Sequence, residues 1–279
     1  MKRNVFFLFT LALFLSQIAC TQVIEVNPYK GIKEISLGNP IESPVTVTII
    51  YDNYIHTEGM KEDWGYACYI DGLDKKILFD TGTQPEIFRN NFLLAGLKAE
   101  NIDEVFLSHE HGDHTGGLSE LLKMSSDLTV VAPETFSNDF FSNVFQSGAE
   151  AAKISEPVGI CRNLYSTGVM GRLIPEQALV LNTGKGLVVM TGCSHPGIIE
   201  MLKAVKTTFG KEIYMVFGGF HLMDKSEQQM TRIISDMKEL GVTKCGATHC
   251  TGEKQIEMFK EAFGENFVIM GAGNRIQFN

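Results

Sequence analysis

Short apolar runs bounded by glycine, proline and polar residues recur along the chain, interleaved with segments whose apolar residues fall three and four apart. The runs read as strands and the spaced segments as helices. VTVTIIYDN (45–53) is a strand by its β-branched content, and GYACYIDG and KKILFDTG are two more, joined by a turn at 72–74. Residues 90–96 read as a helix, DEVFLSH as a buried strand that delivers His109, and LTVVAPE as a strand. Between them GGLSELLKM sets Leu118, Leu121 and Leu122 at helical spacing. Residues 137–175 give weak signals and read as loops and short strands. Then follow the strand GLVVMTGCSH, a helix opened by Pro196, and the strand EIYMVFGGFH. Ser226 and Gln229 match a capping box for the next helix. KCGATHC ends a short strand, residues 255–263 read as a helix, and NFVIMG as a last strand.

Strands and helices thus alternate in two halves, each beginning with strands. This predicts an α/β fold of two mixed sheets packed together with helices outside. ILFDTG and VVMTGC, each a strand running into a glycine turn, hint at an internal duplication.

The N-terminus departs from this grammar. MKRN is followed by the eleven apolar residues VFFLFTLALFL and then by SQIAC, ending at Cys20. Eleven residues fall short of the ~20 that span a bilayer, and the layout is that of an export signal. The division expected is a signal peptide over 1–19, a linker and lead-in segment over 20–44, and one domain over 45–279. Cys20 after Ala19 resembles a bacterial lipoprotein cleavage site, although Gln17 stands where that pattern prefers leucine. The expected address is export, to the periplasm or to a membrane through a lipid anchor; simple secretion and an uncleaved anchor are the alternatives. The chain carries −9 net charge, and losing 1–19, with Lys2, Arg3 and no acid, leaves −11. An acidic chain without basic clusters lacks the footprint of a nucleic-acid binder. Six cysteines, five if Cys20 is lipidated, do not form a disulfide framework.

Candidate chemistry concentrates where strands end. His109, His195, His221 and His249 each follow a run read as a strand, and strand ends are where α/β folds gather their sites. In HEHGDH, His109 and His111 are two apart, so on extended chain they point the same way. Gly112 lets the chain turn, and Asp113 and His114 diverge toward a second ion. Imidazole with carboxylate is a ligand set for zinc, and also for iron or manganese. His56 lies in a polar stretch and reads as exposed, and Trp64 lines either a pocket mouth or the core. Cys245 and Cys250 flank His249 and read as core residues or a disulfide rather than catalytic groups. No G-x-S-x-G elbow of a serine hydrolase appears.

SHEHGDHTGGL resembles the metal-binding motif of the metallo-β-lactamase fold superfamily. YDN, WGYACYI, LFDTG, TGCSHPGI, GGFHL and THCTG resemble the motifs of one branch, the dihydropterin ribofuranosylaminobenzene-phosphate synthase-like metal-dependent hydrolases. The resemblance spans Asp52 to Gly252 and implies an αββα sandwich of two similar halves. It implies two divalent metal ions, zinc first, with iron or manganese as alternatives. His109, His111 and His195 match the first ion's ligands; Asp113, His114 and His249 match the second's. Cys193 stands where many members bridge the ions with aspartate, so it either binds metal or lines the site as a packed residue. Asp80 resembles a residue supporting the ligands, and Asp52 either does similar work or is a turn aspartate. His221 reads as facing substrate, polarising a leaving group, or as a structural histidine. Flavodiiron members carry a glutamate where this chain has His111, and a flavodoxin domain that it lacks.

The function expected is metal-dependent hydrolysis of a small-molecule phosphoester, phosphodiester or lactone by a metal-bound hydroxide, with Asp113 and His221 as catalytic residues. No nucleic-acid partner is expected, and membrane association only through the lipid. A non-catalytic metal-binding lipoprotein and an iron-dependent oxidoreductase are the competing readings.

Overall fold

The computed structural model describes Tyr29 and residues 35–279. The expected signal peptide, Cys20 and most of the linker before residue 35 lie outside the described residues. Among these, no helix is long and apolar enough to cross a membrane.

Two mixed sheets form the centre of the molecule. The first half supplies β1 (Val45–Tyr51), β2 (Ala67–Asp71), β3 (Ile77–Phe79), α1 (Pro85–Leu94), β4 (Glu104–Phe106), α2 (Gly112–Thr115), α3 (Leu118–Met124) and β5 (Thr129–Pro133). Then come α4 (Asn138–Gln146), β6 (Glu150–Ile154), β7 (Val158–Cys161), β8 (Leu164–Ser166) and β9 (Leu179–Thr183). The chain closes with β10 (Gly186–Thr191), α5 (Ile198–Phe209), β11 (Ile213–Gly219), α6 (Glu227–Glu239), β12 (Lys244–Thr248), α7 (Glu253–Phe263) and β13 (Arg275–Phe278). The sheet orders are β13-β1-β2-β3-β4-β5-β6 and β12-β11-β10-β9-β8-β7. In one, an antiparallel β2–β3 pair leads into parallel β3–β4–β5; in the other, an antiparallel β9–β10 pair leads into parallel β10–β11–β12. This shared order is the duplication that ILFDTG and VVMTGC signalled, and the four-layer sandwich is the fold that the sequence predicted.

Three apolar clusters hold the layers. Val47, Phe79, Phe106, Leu181, Met190 and Phe217 pack between the sheets. Phe88, Phe92 and Leu121 bury one outer face, and Met201, Met230 and Phe259 the other. Phe79 and Phe106 stack at 5.7 Å between centroids and are fully buried. Phe79→Ala should cost about 3–5 kcal/mol of unfolding free energy, read as a lowered urea midpoint at unchanged slope.

The element boundaries carry their own signals. Ser226 and Gln229 form the capping box at α6. Helix α5 ends at Gly210 with φ 60°, a left-handed stop that glycine adopts at no steric cost. Three expectations need correction. Helix α1 starts at Pro85, five residues before the predicted helix, because proline at the first position presets φ there. Residues 137–175 hold the expected short strands β6, β7 and β8, but they also hold the helix α4, capped where Ser137 Oγ accepts from Phe140 N. NFVIMG is not a strand: only Phe267 bridges, to Cys245, and the last strand is β13, paired antiparallel with β1. Met270 earned the segment its apolar look by entering the core, while Ile269 is exposed. The lead-in segment also packs, with Ile41 and Tyr29 in the central core.

Candidate metal centre

Four strands from the parallel parts of the two sheets end at one place. His109 follows β4, His195 lies four residues past β10, His221 two past β11, and His249 directly follows β12. Each strand fixes the backbone, and a turn at its end aims the side chain. Asp80, Ser194, His221 and His249 all hold positive φ (54°, 62°, 50° and 51°). Among the described non-glycine residues only Asn163 shares this conformation. Such strain persists where surrounding structure enforces it, and it clusters at functional sites. Gly192 permits a close approach to the turns after β3 and β4: a Cβ there would collide with the Ser108 hydroxyl and lie 3.1 Å from Asp80 Oδ2.

Asp80 anchors the first half of the site. It is fully buried, and its Oδ1 accepts from Ser108 N at 2.8 Å. Its Oδ2 accepts from Ser108 Oγ and from His114 Nδ1, each at 2.7 Å. The His114 bond orients the ring and turns Nε2 toward the centre. His249 is oriented the same way: its Nδ1 donates to Asn53 Oδ1 at 2.8 Å, which also accepts from Gly65 N at 3.1 Å. Asp52 is buried too, but its carboxylate takes the Thr248 hydroxyl at 2.8 Å and so braces the end of β12; it is more than a turn residue. Burial pushes the Asp52 carboxyl up to about 7, against the opposing hydrogen bond from Thr248.

The atoms turned inward converge. Asp113 Oδ2 lies 3.5 Å from His114 Nε2 and 3.4 Å from His249 Nε2. Cys193 Sγ lies 3.2 Å and 3.4 Å from the same two nitrogens. These four donors, and separately His109 with His111 and Asp113, and His109 with Cys193 and His195, each fall within 4.8 Å of one another. His109 Nε2 is 3.2 Å from His111 Nδ1, and the His195 ring centroid is 4.8 Å from both rings. The buried His195 Nε2 has no hydrogen-bond partner.

Electrostatics divides the cluster in two. Burial, then the neighbouring imidazoles, hold His109 well below the usual histidine range. Burial and then His221 bring His195 down to about 4. Burial works against charge on Asp113 and His114 as well, but there it loses. Hydrogen bonds from His114 and His249 hold the Asp113 carboxyl far below its usual range, and Asp80 lifts His114 to about 10. A divalent transition ion requires neutral imidazole lone pairs beside an ionised carboxylate; His109 and His195 are held in that form, and at Asp113 the ion would replace the proton that His114 shares with it. The unpartnered His195 nitrogen and the doubly oriented His114 and His249 fit such an ion.

All seven candidate ligands, His109, His111, Asp113, His114, Cys193, His195 and His249, lie in this cluster. His221 borders it, exposed, with its ring 4.4 Å from that of His195. His56 is exposed, as expected. Trp64 is not a core residue: it is 45% exposed, and its Nε1 donates to Asp113 Oδ2 at 2.9 Å. Cys245 is core, whereas Cys250 lies at the site, its Sγ 3.1 Å from that of Cys193; neither is in a disulfide.

Two residues that brace the site escaped the sequence reading, and a third, Cys250, reads there as core or disulfide-bonded. Glu176 is fully buried and accepts from the backbone N–H of Cys193 and Ser194, each at 2.9 Å, and of His195 at 2.8 Å. The left-handed Ser194 turns these successive N–H groups toward one anion, as in a backbone nest. Burial lifts the Glu176 carboxyl to about 7 against those three bonds. In sequence it is one acid in IPEQALVLN, with no spacing to flag it. Asn53 stood in a quoted motif, YDN, and could have been singled out there.

The Metallo-beta-lactamase superfamily profile matches residues 65–196. The 7,8-dihydropterin-6-methyl-4-(beta-D-ribofuranosyl)-aminobenzene-5'-phosphate synthase of Methanocaldococcus jannaschii is 31% identical over 252 residues, 74% of this chain and 86% of the relative. The crystal structure of Tm1679, a metal-dependent hydrolase of the β-lactamase superfamily, superposes with TM-score 0.71 at 28% identity, covering 83% of this chain and 98% of that one. The metallo-β-lactamase fold protein YhfI from Bacillus subtilis shares the fold at TM-score 0.64 and 17% identity, over 85% of this chain and 100% of that one.

Proposed function

Since this chain belongs to the metallo-β-lactamase superfamily, we propose that it is a metal-dependent hydrolase of a phosphate-bearing small molecule, a phosphoester or phosphodiester before a lactone. The observation that carries the reading is the convergence of imidazole nitrogens, Asp113 and Cys193 at the ends of β4, β10 and β12. His109, His111 and His195 would hold one ion, and Asp113, His114 and His249 the other, with Cys193 between them. Zinc is the first choice, since thiolate joins imidazole and carboxylate in the donor set. When bound, such ions acidify water and neutralise charge developing on an ester oxygen.

The chain's own groups do the rest. Asp80 and Asn53 orient the rings of His114 and His249. Trp64 donates to Asp113 and borders its open side. His221 stands on the exposed rim, where it can donate to a leaving oxygen. The phosphate in the product name of the Methanocaldococcus relative supports a phosphate-bearing substrate. That name also supports a second reading, a synthase reaction at the same centre; the proposed export of this chain argues against a cytosolic pterin substrate.

An aryl phosphodiester assay, run with and without chelator, tests the proposal. Chelator-sensitive release of the aryl alcohol is expected; metal-replete protein inactive on phosphodiesters, phosphomonoesters and lactones alike would remove the hydrolase reading. His221→Ala should retain both ions by elemental analysis but turn over more slowly, because only its rim position is lost. Address is a separate proposal: Cys20 carries lipid, and Cys20→Ser should move the protein from the membrane fraction to the soluble one. More than one acyl chain is needed for stable anchoring, and wild-type protein that fractionates as soluble, with an N-terminus beyond residue 20, would contradict it.

A further inference from the structure

Two donors, Cys250 and His221, remain outside the two-ion reading. Cys250 follows His249 in the short turn 249–251 after β12 and is 1% exposed. Its Sγ lies 3.1 Å from Cys193 Sγ, well beyond the ~2.05 Å of a disulfide bond. Both sulfurs are therefore thiols with lone pairs to give. His221, at the end of β11, brings an imidazole to the same place from the solvent side. One donor atom from each of Cys193, His221 and Cys250 falls within 4.8 Å of the other two. That span is close to the ~4.6 Å that two ~2.3 Å metal–sulfur bonds can bridge.

The backbone is shaped to permit this approach. Gly219 precedes the turn to His221, and a Cβ on it would sit 2.7 Å from Cys250 Sγ and 3.0 Å from His249 Cδ2. His221 itself holds φ 50°, so its ring is carried back toward Cys250 rather than onward along the strand. The polarity of the cluster is distinctive. Two of the other three donor groups mix imidazole with carboxylate and the third joins two imidazoles to Cys193, whereas this one has two sulfurs, one imidazole and no oxygen. Soft donors select thiophilic ions and disfavour magnesium or calcium. Three protein ligands with an exposed imidazole among them leave a coordination position facing solvent, as in open rather than closed zinc sites.

We propose that Cys193, Cys250 and His221 form a binding position for a thiophilic metal ion, adjoining the two-ion centre and sharing Cys193 with it. It rests on the reading of that centre only through the shared thiol. Cadmium is a suitable probe, because its thiolate complexes absorb in the ultraviolet where zinc complexes do not. Protein loaded with zinc and freed of excess is titrated with Cd(II), and zinc and cadmium are counted by elemental analysis alongside the absorption. Wild-type protein should take up one cadmium per chain beyond its zinc, with thiolate charge-transfer absorption. Cys250→Ser should hold the same zinc and lose that cadmium equivalent and its band; His221→Ala should bind it more weakly. The proposal is overturned if zinc-loaded wild type gains no thiolate band, if Cys250→Ser gains it equally, or if non-reducing peptide mapping finds Cys193 and Cys250 joined. Failure of the two-ion reading looks different: the protein then holds no zinc, while its cadmium uptake still either depends on Cys250 or does not.

Discussion

Asp113→Asn should lower turnover by roughly 10²-fold or more, the equivalent of several kcal/mol of transition-state stabilisation. Asp113 lies in the first turn of α2, just after Gly112, and belongs to none of the three apolar clusters. Its Oδ2 instead faces His114 Nε2 and His249 Nε2, where the proposed second ion would sit. Asparagine keeps the size and an oxygen for the Trp64 N–H, but loses the charge that favours a dication. The metal-free variant should also lose some stability, since the carboxylate that accepts from His114 and His249 gives up its charge, so turnover is compared under conditions where both proteins are folded. Steady-state kinetics on one substrate, with metal measured in parallel, reads the effect; full activity in the variant contradicts the proposed role of Asp113.

Glu176→Ala should be the most damaging substitution for stability at the site. Among the described residues, its carboxylate is the only side chain that accepts from the N–H groups of Cys193, Ser194 and His195. Alanine strands three buried donors, each costing about 1–3 kcal/mol when left unsatisfied, so a loss of about 3 kcal/mol or more is expected. Glu176→Gln keeps one oxygen for two of the three donors and should fall between alanine and wild type. Urea denaturation of the metal-free proteins isolates this effect from metal linkage. Because the same turn carries Cys193 and His195, both variants should also bind metal more weakly. An alanine variant as stable as wild type would show that the turn holds itself.

The fold was legible where periodicity and punctuation agreed. The strand runs before His109, His195, His221 and His249 are apolar and end in glycine or polar residues, and all four sit on parallel strands whose ends meet. The donors around Asp113 could be read because H-x-H-x-D-H is dense in costly groups that need a reason to be together. What stayed hidden depends on long-range placement. Glu176 and Asn53 act through contacts with residues 17 and 196 positions away, and nothing in local spacing encodes such a meeting. Trp64 looked as suited to a core as to a rim, because an indole serves both. Strand β13 was missed since RIQF is short, alternates in exposure and sits at a sheet edge, whereas NFVIMG drew the eye by hydrophobicity that belongs to core packing.

Metal content tests the central claim most directly. Purified protein, reconstituted and freed of loose ions, should carry close to two transition-metal ions per chain by elemental analysis, and His111→Ala should lose at least one of them. A protein that binds no transition metal after reconstitution, while folded by denaturation criteria, contradicts the account.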